Sequence, residues 1–313
     1  MLSNLIVSIE AVAPMFIIIF LGVLIRKAGV ITPDETKKFN KLIFICCFPP
    51  LMFSNHYGKE LGDAVNPKLI IFTLATVLTL YFITIFIVLK IEKSPRTRGA
   101  MIQAIYRSNF VIMGIPIVQN VFGRGELAVT AVMVTIVVPL YNVLAVITLE
   151  VFRGGRPSFR EMFKDLAKNP IIIGALAGIF AILVHLKLPY AVEAPINMLA
   201  EAATPVTLLL LGASFNFESV SREKRNLIIC LLGRLVCFPS VGLIGGMLMG
   251  FRGVALLTLV AIFASPSAIT SYTMAQQMDS DYELAGNCVI FSSLISCLTM
   301  FLWIFLLKTL GMF

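Results

Sequence analysis

Residues 107–119, RSNFVIMGIPIVQ, carry the densest set of chemically capable groups in this chain: Arg107, Ser108, Asn109, Gly114, Pro116 and Gln119 interrupt an apolar run from about 99 to 121. Asn109 offers donors and an acceptor without a fixed charge, which suits a carboxylate oxygen. Gly114-x-Pro116 removes a backbone donor in mid-run and frees upstream carbonyls, so a helix break is expected there. Lipid does not tolerate such a break unless protein or water replaces the lost bonds. Transporters meet that condition, because their discontinuous helices surround a substrate at the membrane midplane. A simpler reading keeps Asn109 as a cap for the freed backbone groups, and the two readings are compatible.

A second polar stretch, residues 265–277, supplies Ser265, Pro266, Ser267, Thr270, Ser271, Gln276 and Gln277. These uncharged groups suit three uses: a substrate site built with Gly114 and Asn109, a sodium site near Gln276, Gln277 and Ser271, or hydrogen bonds between helices worth roughly 0.6 to 2 kcal/mol each. Four ionisable groups fall inside apolar runs: Glu10, Arg107, Glu201 and Arg234. A charge at a helix centre costs at least about 2.5 kcal/mol, so each needs a reason. Glu201, four residues before Pro205, reads as a proton-coupling group or the ion-pair partner of an arginine. Arg234 and Arg107 read as that partner or as counter-charges for an anion. Glu10 reads as a wet or snorkelling group near an interface.

Several activities are excluded. The only histidines are His56 and His185, and no His-Glu-x-x-His pattern exists. The aspartates, Asp34, Asp63, Asp165, Asp279 and Asp281, fall in loops or at helix ends, which removes an intramembrane aspartyl protease. The six cysteines lack disulfide or zinc spacing and read as small core residues. No enzyme, cofactor or metal centre is expected.

The elements that must position these groups are membrane helices. Hydrophobic residues make up 58% of the 313, charged residues 13%, and mean hydropathy is +0.95, the balance of a polytopic all-α membrane protein. Ten apolar segments run approximately 4 to 25, 33 to 54, 68 to 89, 99 to 121, 126 to 152, 168 to 186, 191 to 214, 224 to 249, 253 to 277 and 282 to 309. The first reads as a retained helix and not a signal peptide. Of the 25 lysines and arginines, seventeen flank the loops after the odd-numbered segments one to seven and six lie on the opposite side. The net charge of +8 is therefore a topology signal, with basic loops in the cytoplasm and both termini outside, and nucleic acid is not a partner.

The two polar stretches align without a gap at a shift of 157, which places Ser108 on Ser265 and Gln119 on Gln276; the same shift places Asn40 on Asn197. This spacing predicts an internal duplication: a first five-helix repeat over 1–152, a connector at 153–167 and a second repeat over 168–313. With five helices per repeat the second is inverted, so the broken fourth and ninth helices cross in mid-membrane. Their half-helix N-termini would face the centre and favour an anion.

SNFVIMGIPI in the fourth segment, KNP opening the sixth, LAEAATPVTLLLLGASF in the seventh, GRLVCFP in the eighth and the Ser-Pro-rich ninth resemble the auxin efflux carrier family, which includes plant PIN carriers and bacterial malate or malonate permease-like proteins. The resemblance spans the chain. It implies a bile-acid sodium symporter/NhaA-like fold, with helices 1, 2, 6 and 7 as a scaffold, helices 3–5 and 8–10 as a transport domain, and homodimers formed through the scaffold. It further implies elevator-type transport of a small organic anion, with a carboxylate near Asn109, the crossover on Pro116 and Pro266, and Asn169 as a further substrate contact. The coupling ion would be a proton or sodium. A sodium-coupled symporter, and a channel or ligand sensor on the same fold, are the alternatives.

Overall fold

Among the described residues, four helices start where a capping side chain precedes a proline. Thr32, Asn66, Ser94 and Asn169 each accept a backbone N–H from the turn they precede, and Pro33, Pro67, Pro95 and Pro170 follow directly. Proline loses nothing at that first position, whose N–H has no helical partner anyway.

The computed structural model describes residues 2–55, 57, 65–123, 127–153 and 167–312, and their side chains except those of 2–12 and 113–114. The helices are α1 (Leu2–Lys27), α2 (Pro33–Cys46), α3 (Phe48–Ser54), α4 (Pro67–Ile91), α5 (Pro95–Tyr106), α6 (Phe110–Phe122), α7 (Leu127–Val151), α8 (Pro170–Leu183), α9 (Tyr190–Ser214), α10 (Phe217–Arg222), α11 (Lys224–Leu232), a π-helical turn (Gly233–Cys237), α12 (Phe238–Leu248), α13 (Gly253–Ala264), α14 (Thr270–Gln277) and α15 (Tyr282–Thr309). Among the described residues, five helical runs are long and apolar enough to cross a membrane: α4, α7, α9, the continuous run from α11 to α12, and α15. Large apolar side chains such as Ile71, Phe82, Leu176 and Phe180 stand exposed along the helices, a surface suited to lipid. The connector expected at 153–167 lies, apart from its two ends, outside the described residues.

The second, fourth and ninth segments are each two helices. In the second, Pro49 and Pro50 lack the N–H groups that would bond the carbonyls of Ile45 and Cys46, so α2 stops and α3 restarts. In the fourth, the break falls at Arg107–Asn109 and not at Gly114-x-Pro116. Pro116 lies inside α6 and Gly114 belongs to the same helix, so Pro116 does not mark the crossing. One missing bond inside a helix only bends it; at Arg107–Asn109 the chain is held apart by pairing with another segment. There Asn109 N–H donates to the Pro266 carbonyl (2.8 Å) and Ala268 N–H to the Arg107 carbonyl (3.2 Å), an isolated antiparallel bridge centred on Ser108 and Ser267. Pro266 thus lies at the crossing.

A shift of 157 also carries helix boundaries: Pro33 onto Tyr190, and the ends of α4, Pro67 and Ile91, onto Lys224 and Leu248. Helix α1 packs chiefly on α9, and α3 on α8 and α9, while α6 and α12 pack on α13, α14 on α15 and α4 on α5; α1 also touches α6 and α15. The α1–α9 contact is backbone to backbone. A Cβ on Gly22 would stand 2.0 Å from the Leu209 carbonyl oxygen, and one on Gly212 1.9 Å from that of Ile19.

Candidate functional site

The crossing brings four helix ends together, and their backbone groups are treated in opposite ways. At the carboxyl ends of α5 and α13 every carbonyl from Ala104 to Tyr106 and from Ala261 to Phe263 has a partner. Ser267 Oγ donates to Ala104 O (2.7 Å) and Ser265 Oγ to Ala261 O. Arg234 does the rest. Its Nη1 donates to Ile105 O (3.3 Å) and Tyr106 O (3.0 Å), its Nη2 to Ile262 O (3.0 Å) and Phe263 O (2.7 Å), and its Nε to Ser265 O (2.7 Å). All five guanidinium N–H donors are spent, and the side chain is wholly buried. The π-helical turn Gly233–Cys237 carries it in, a local widening of the helix of a kind common at functional positions.

The amino ends are only partly satisfied: in α14 the Ser271 and Tyr272 N–H groups donate to the turn carbonyls of Ala268 (3.0 Å) and Ile269 (3.3 Å). Neither α6 nor α14 has a side-chain cap; Asn109 occupies the cap position of α6 but makes no capping bond. Val111 and Ile112 of the first turn of α6, with Ile269 and Thr270 of α14, line a cavity of about 100 Å³. The same cavity is lined by Ser108, Asn109 and Tyr141; Asn109 Nδ2 is buried without a hydrogen-bond partner, while the Ser108 and Tyr141 hydroxyls make no bond of good geometry and have only each other and Arg234 nearby. Buried polar atoms are rarely left so, and such a group at a void marks a place for a polar guest or ordered water. Asn55 of the α3 terminus and Thr204 of α9 close the opposite wall.

Arg107 also lines this cavity and is 3% exposed. Its Nη2 donates to Asn142 Oδ1, and its Nη1 to Ser271 Oγ (3.4 Å) and to Met274 Sδ (3.0 Å). Asn142 is itself held by Met52 Sδ (2.8 Å). Neither buried arginine has a carboxylate within ion-pair distance among the described residues.

The structure therefore gathers Arg107, Ser108, Asn109 and Thr270 at one void and places Ser265, Ser267, Gln276, Gln277, Asn169 and Arg234 outside its lining. Ser265, Ser267 and Arg234 hold the crossing together and do not line the cavity. Gln276 accepts from Asn40 Nδ2, and Asn40 Oδ1 accepts from Thr273 Oγ1 (2.6 Å), so Gln276 is tied to α2 at the far end of α14. Gln277 lines a different cavity at that end. Ser271 faces the Arg107 guanidinium, a poor neighbour for sodium. Asn169 caps α8 through Ile171 N–H (3.0 Å) and reaches Met278 Sδ, away from the central cavity. Glu201 lies exposed on α9 with no ion pair to either arginine, one turn before Thr204. Tyr141, Asn142, Asn55 and Thr204 escaped the sequence reading; the adjacent Tyr-Asn pair inside the apolar α7 was the available signal.

Residues 7–304 match the family described as Membrane transport protein, so the chain belongs to that family, the auxin efflux carrier family, and is a multi-pass membrane protein of the transporter class. Among its relatives, an uncharacterized transporter of Methanothermobacter thermautotrophicus is 23% identical over 95% of this chain and 97% of its own. A putative malonate transporter of Rhizobium meliloti is 22% identical over 47% of this chain and 46% of its own. Auxin efflux carrier component 3a of Oryza sativa is 24% identical over 43% of this chain and 23% of its own.

Proposed function

We propose that this protein is a secondary-active carrier of small organic anions, with a carboxylate bound in the cavity at the crossing. One observation carries the reading: two helix amino ends without side-chain caps, one incompletely engaged buried guanidinium and the unpartnered Asn109 amide converge on a single void. Each helix end is equivalent to roughly half a charge, so Arg234 offsets the two carboxyl ends, while Arg107 and the two amino ends leave an excess of about two positive charges. An anion with one or two carboxylates answers that excess. In this reading Asn109 and Tyr141 orient the carboxylate and Arg107 supplies its counter-charge.

The shared helix boundaries at a shift of 157 support ten spans in two inverted repeats crossing at Ser108 and Ser267. Helices α1–α3, α8 and α9 would form the scaffold, and α4–α7 with α11–α15 the moving body. The cavity lies between these groups, which suits elevator-type alternating access. The basic loops favour a cytoplasmic membrane with both termini outside, and assembly as a homodimer belongs to the same reading. Sodium coupling draws no support from the site, where Arg107 stands beside Ser271; proton coupling through Glu201 is the form we propose.

The test is charge movement or isotope flux in proteoliposomes challenged with malonate, malate, succinate, lactate and indole-3-acetate, with imposed pH or sodium gradients. Saturable uptake of one anion, reduced in Asn109→Ala and flattened in its pH profile by Glu201→Gln, is expected. Uptake of every anion that is unchanged in Asn109→Ala would move the site away from the crossing.

A further inference from the structure

A second, larger cavity of about 520 Å³ opens at the other end of α14. Its wall carries Lys37, Lys38 and Lys41 from α2, Arg96 from the first turn of α5, Arg153 from the end of α7, and one carboxylate, Asp279. Asp279 is taken by Arg153 at 3.0 Å. Glu35, one turn before the lysines, is engaged in the capping box of α2 with Thr32. Lys37, Lys38, Lys41 and Arg96 have no ion pair among the described residues.

A topological signal alone would not gather these charges from three separate helices around one cavity. The lysines come from α2, which packs on α3, α9 and α14, and Arg96 and Arg153 from α5 and the end of α7, helices that reach α14 from elsewhere in the chain. Like charges across a cleft repel, and a cleft of one sign concentrates counter-ions. The cavity floor is Gln276 and Gln277, the carboxyl end of the half-helix whose amino end, Thr270, faces the central void. Eight residues of helix, about 12 Å, separate the two cavities. The Asn40–Gln276–Thr273 clasp stands between them.

We propose that this basic cavity is a second anion site, in which a soluble dianion of the carboxylate or phosphate type bridges Lys37 and Lys41 of α2 to Arg96 of α5. It goes beyond the carrier reading and requires only that anions reach this face. An anion held there removes the repulsion among these charges and so favours the approach of α2 to α5.

The experiment is protection of lysines from amine-reactive acylation in the full chain, reconstituted in phosphatidylcholine nanodiscs and read by peptide mass spectrometry. Malonate and inorganic phosphate are compared with sodium chloride at equal ionic strength. Severalfold slower labelling of Lys37 and Lys41 is expected, with Lys224 and Lys308 unaffected. Arg96→Gln should weaken the protection, and Asn109→Ala, which disables the central site, should leave it intact. Equal slowing at all lysines would mean diffuse screening and overturn the proposal. Protection by phosphatidylglycerol with none from the soluble anions would assign the site to lipid headgroups and overturn it too. Loss of protection in Asn109→Ala would make it an echo of the central site and likewise overturn the proposal, whereas transport failure in that variant with protection retained would separate the two readings.

Discussion

Two buried arginines stand at the same crossing and have opposite fates. Arg234 is enclosed by the carboxyl ends of α5 and α13, and each of its five donors meets a carbonyl. Arg107 is almost as deeply buried, yet its partners are an amide oxygen, a hydroxyl and a thioether, and it borders a void. Burial of a charge therefore says little about its use. A guanidinium compensated by helix carboxyl ends is part of the frame, whereas one placed on the same side as two helix amino ends is uncompensated and invites an anion. The antiparallel bridge of Ser108 with Ser267 sets both at one place, because it joins two helix breaks with like ends side by side.

The sharpest way to break the comparison is to exchange the demands on the two residues. Arg234→Met leaves at least four buried helix-end carbonyls without donors, each costing about 1–3 kcal/mol, so loss of a monodisperse folded protein in size-exclusion chromatography is expected. Arg234→Lys should fail almost as badly, since one ammonium cannot span both helix ends in the planar geometry of a guanidinium. Arg107→Leu should instead leave a folded protein and weaken anion binding roughly 10- to 100-fold, the worth of a hydrogen bond to a charged group, measured by isothermal titration with malonate. If Arg107→Leu proves as damaging to the fold as Arg234→Met, the two arginines are alike and the distinction collapses. Smaller again is Tyr141→Phe, which deletes one buried hydroxyl at the void. It should weaken binding about fivefold, as for one neutral hydrogen bond, with no loss of thermal stability.

The sequence made the helical segments legible because apolar runs near spanning length, Pro-capped starts and basic loops are local signals. It placed the fourth-segment break at Gly114-x-Pro116 because glycine and proline are the local marks of a break. The real one at Arg107–Asn109 is made by hydrogen bonds to Pro266 and Ala268, well over a hundred residues away. Arg234 was legible as a costly buried charge, but its partners are backbone carbonyls, which no residue pattern announces. Asn109 was found because an asparagine at the head of an apolar helix is conspicuous, while Tyr141 and Asn142 passed as core because only the folded chain turns that face of α7 toward the void. Asn169 was assigned to substrate by resemblance, and its cap of α8 was written in the adjacent Pro170.

The finest division of the comparison lies in what ties α14 to the rest. Near its amino end the tie is the backbone bridge to α6, which Arg234 braces; toward its carboxyl end it is the side-chain clasp of Asn40 with Thr273 and Gln276, joined by Tyr272 with Ser214. The first set lies within the group of helices packed around α14, whereas the second joins α14 to α2 and α9. Any sliding of one group past the other must therefore break the second set and spare the first. Asn40→Ala removes both bonds of the clasp, at a cost of roughly 0.6 to 2 kcal/mol per bond in a membrane. The expected result is a modest fall in melting temperature and a severalfold change in exchange rate at saturating anion, with the equilibrium affinity for malonate unchanged. A change in affinity without a change in rate would place Asn40 in the binding site and make the carboxyl end of α14 as much a part of it as the amino end.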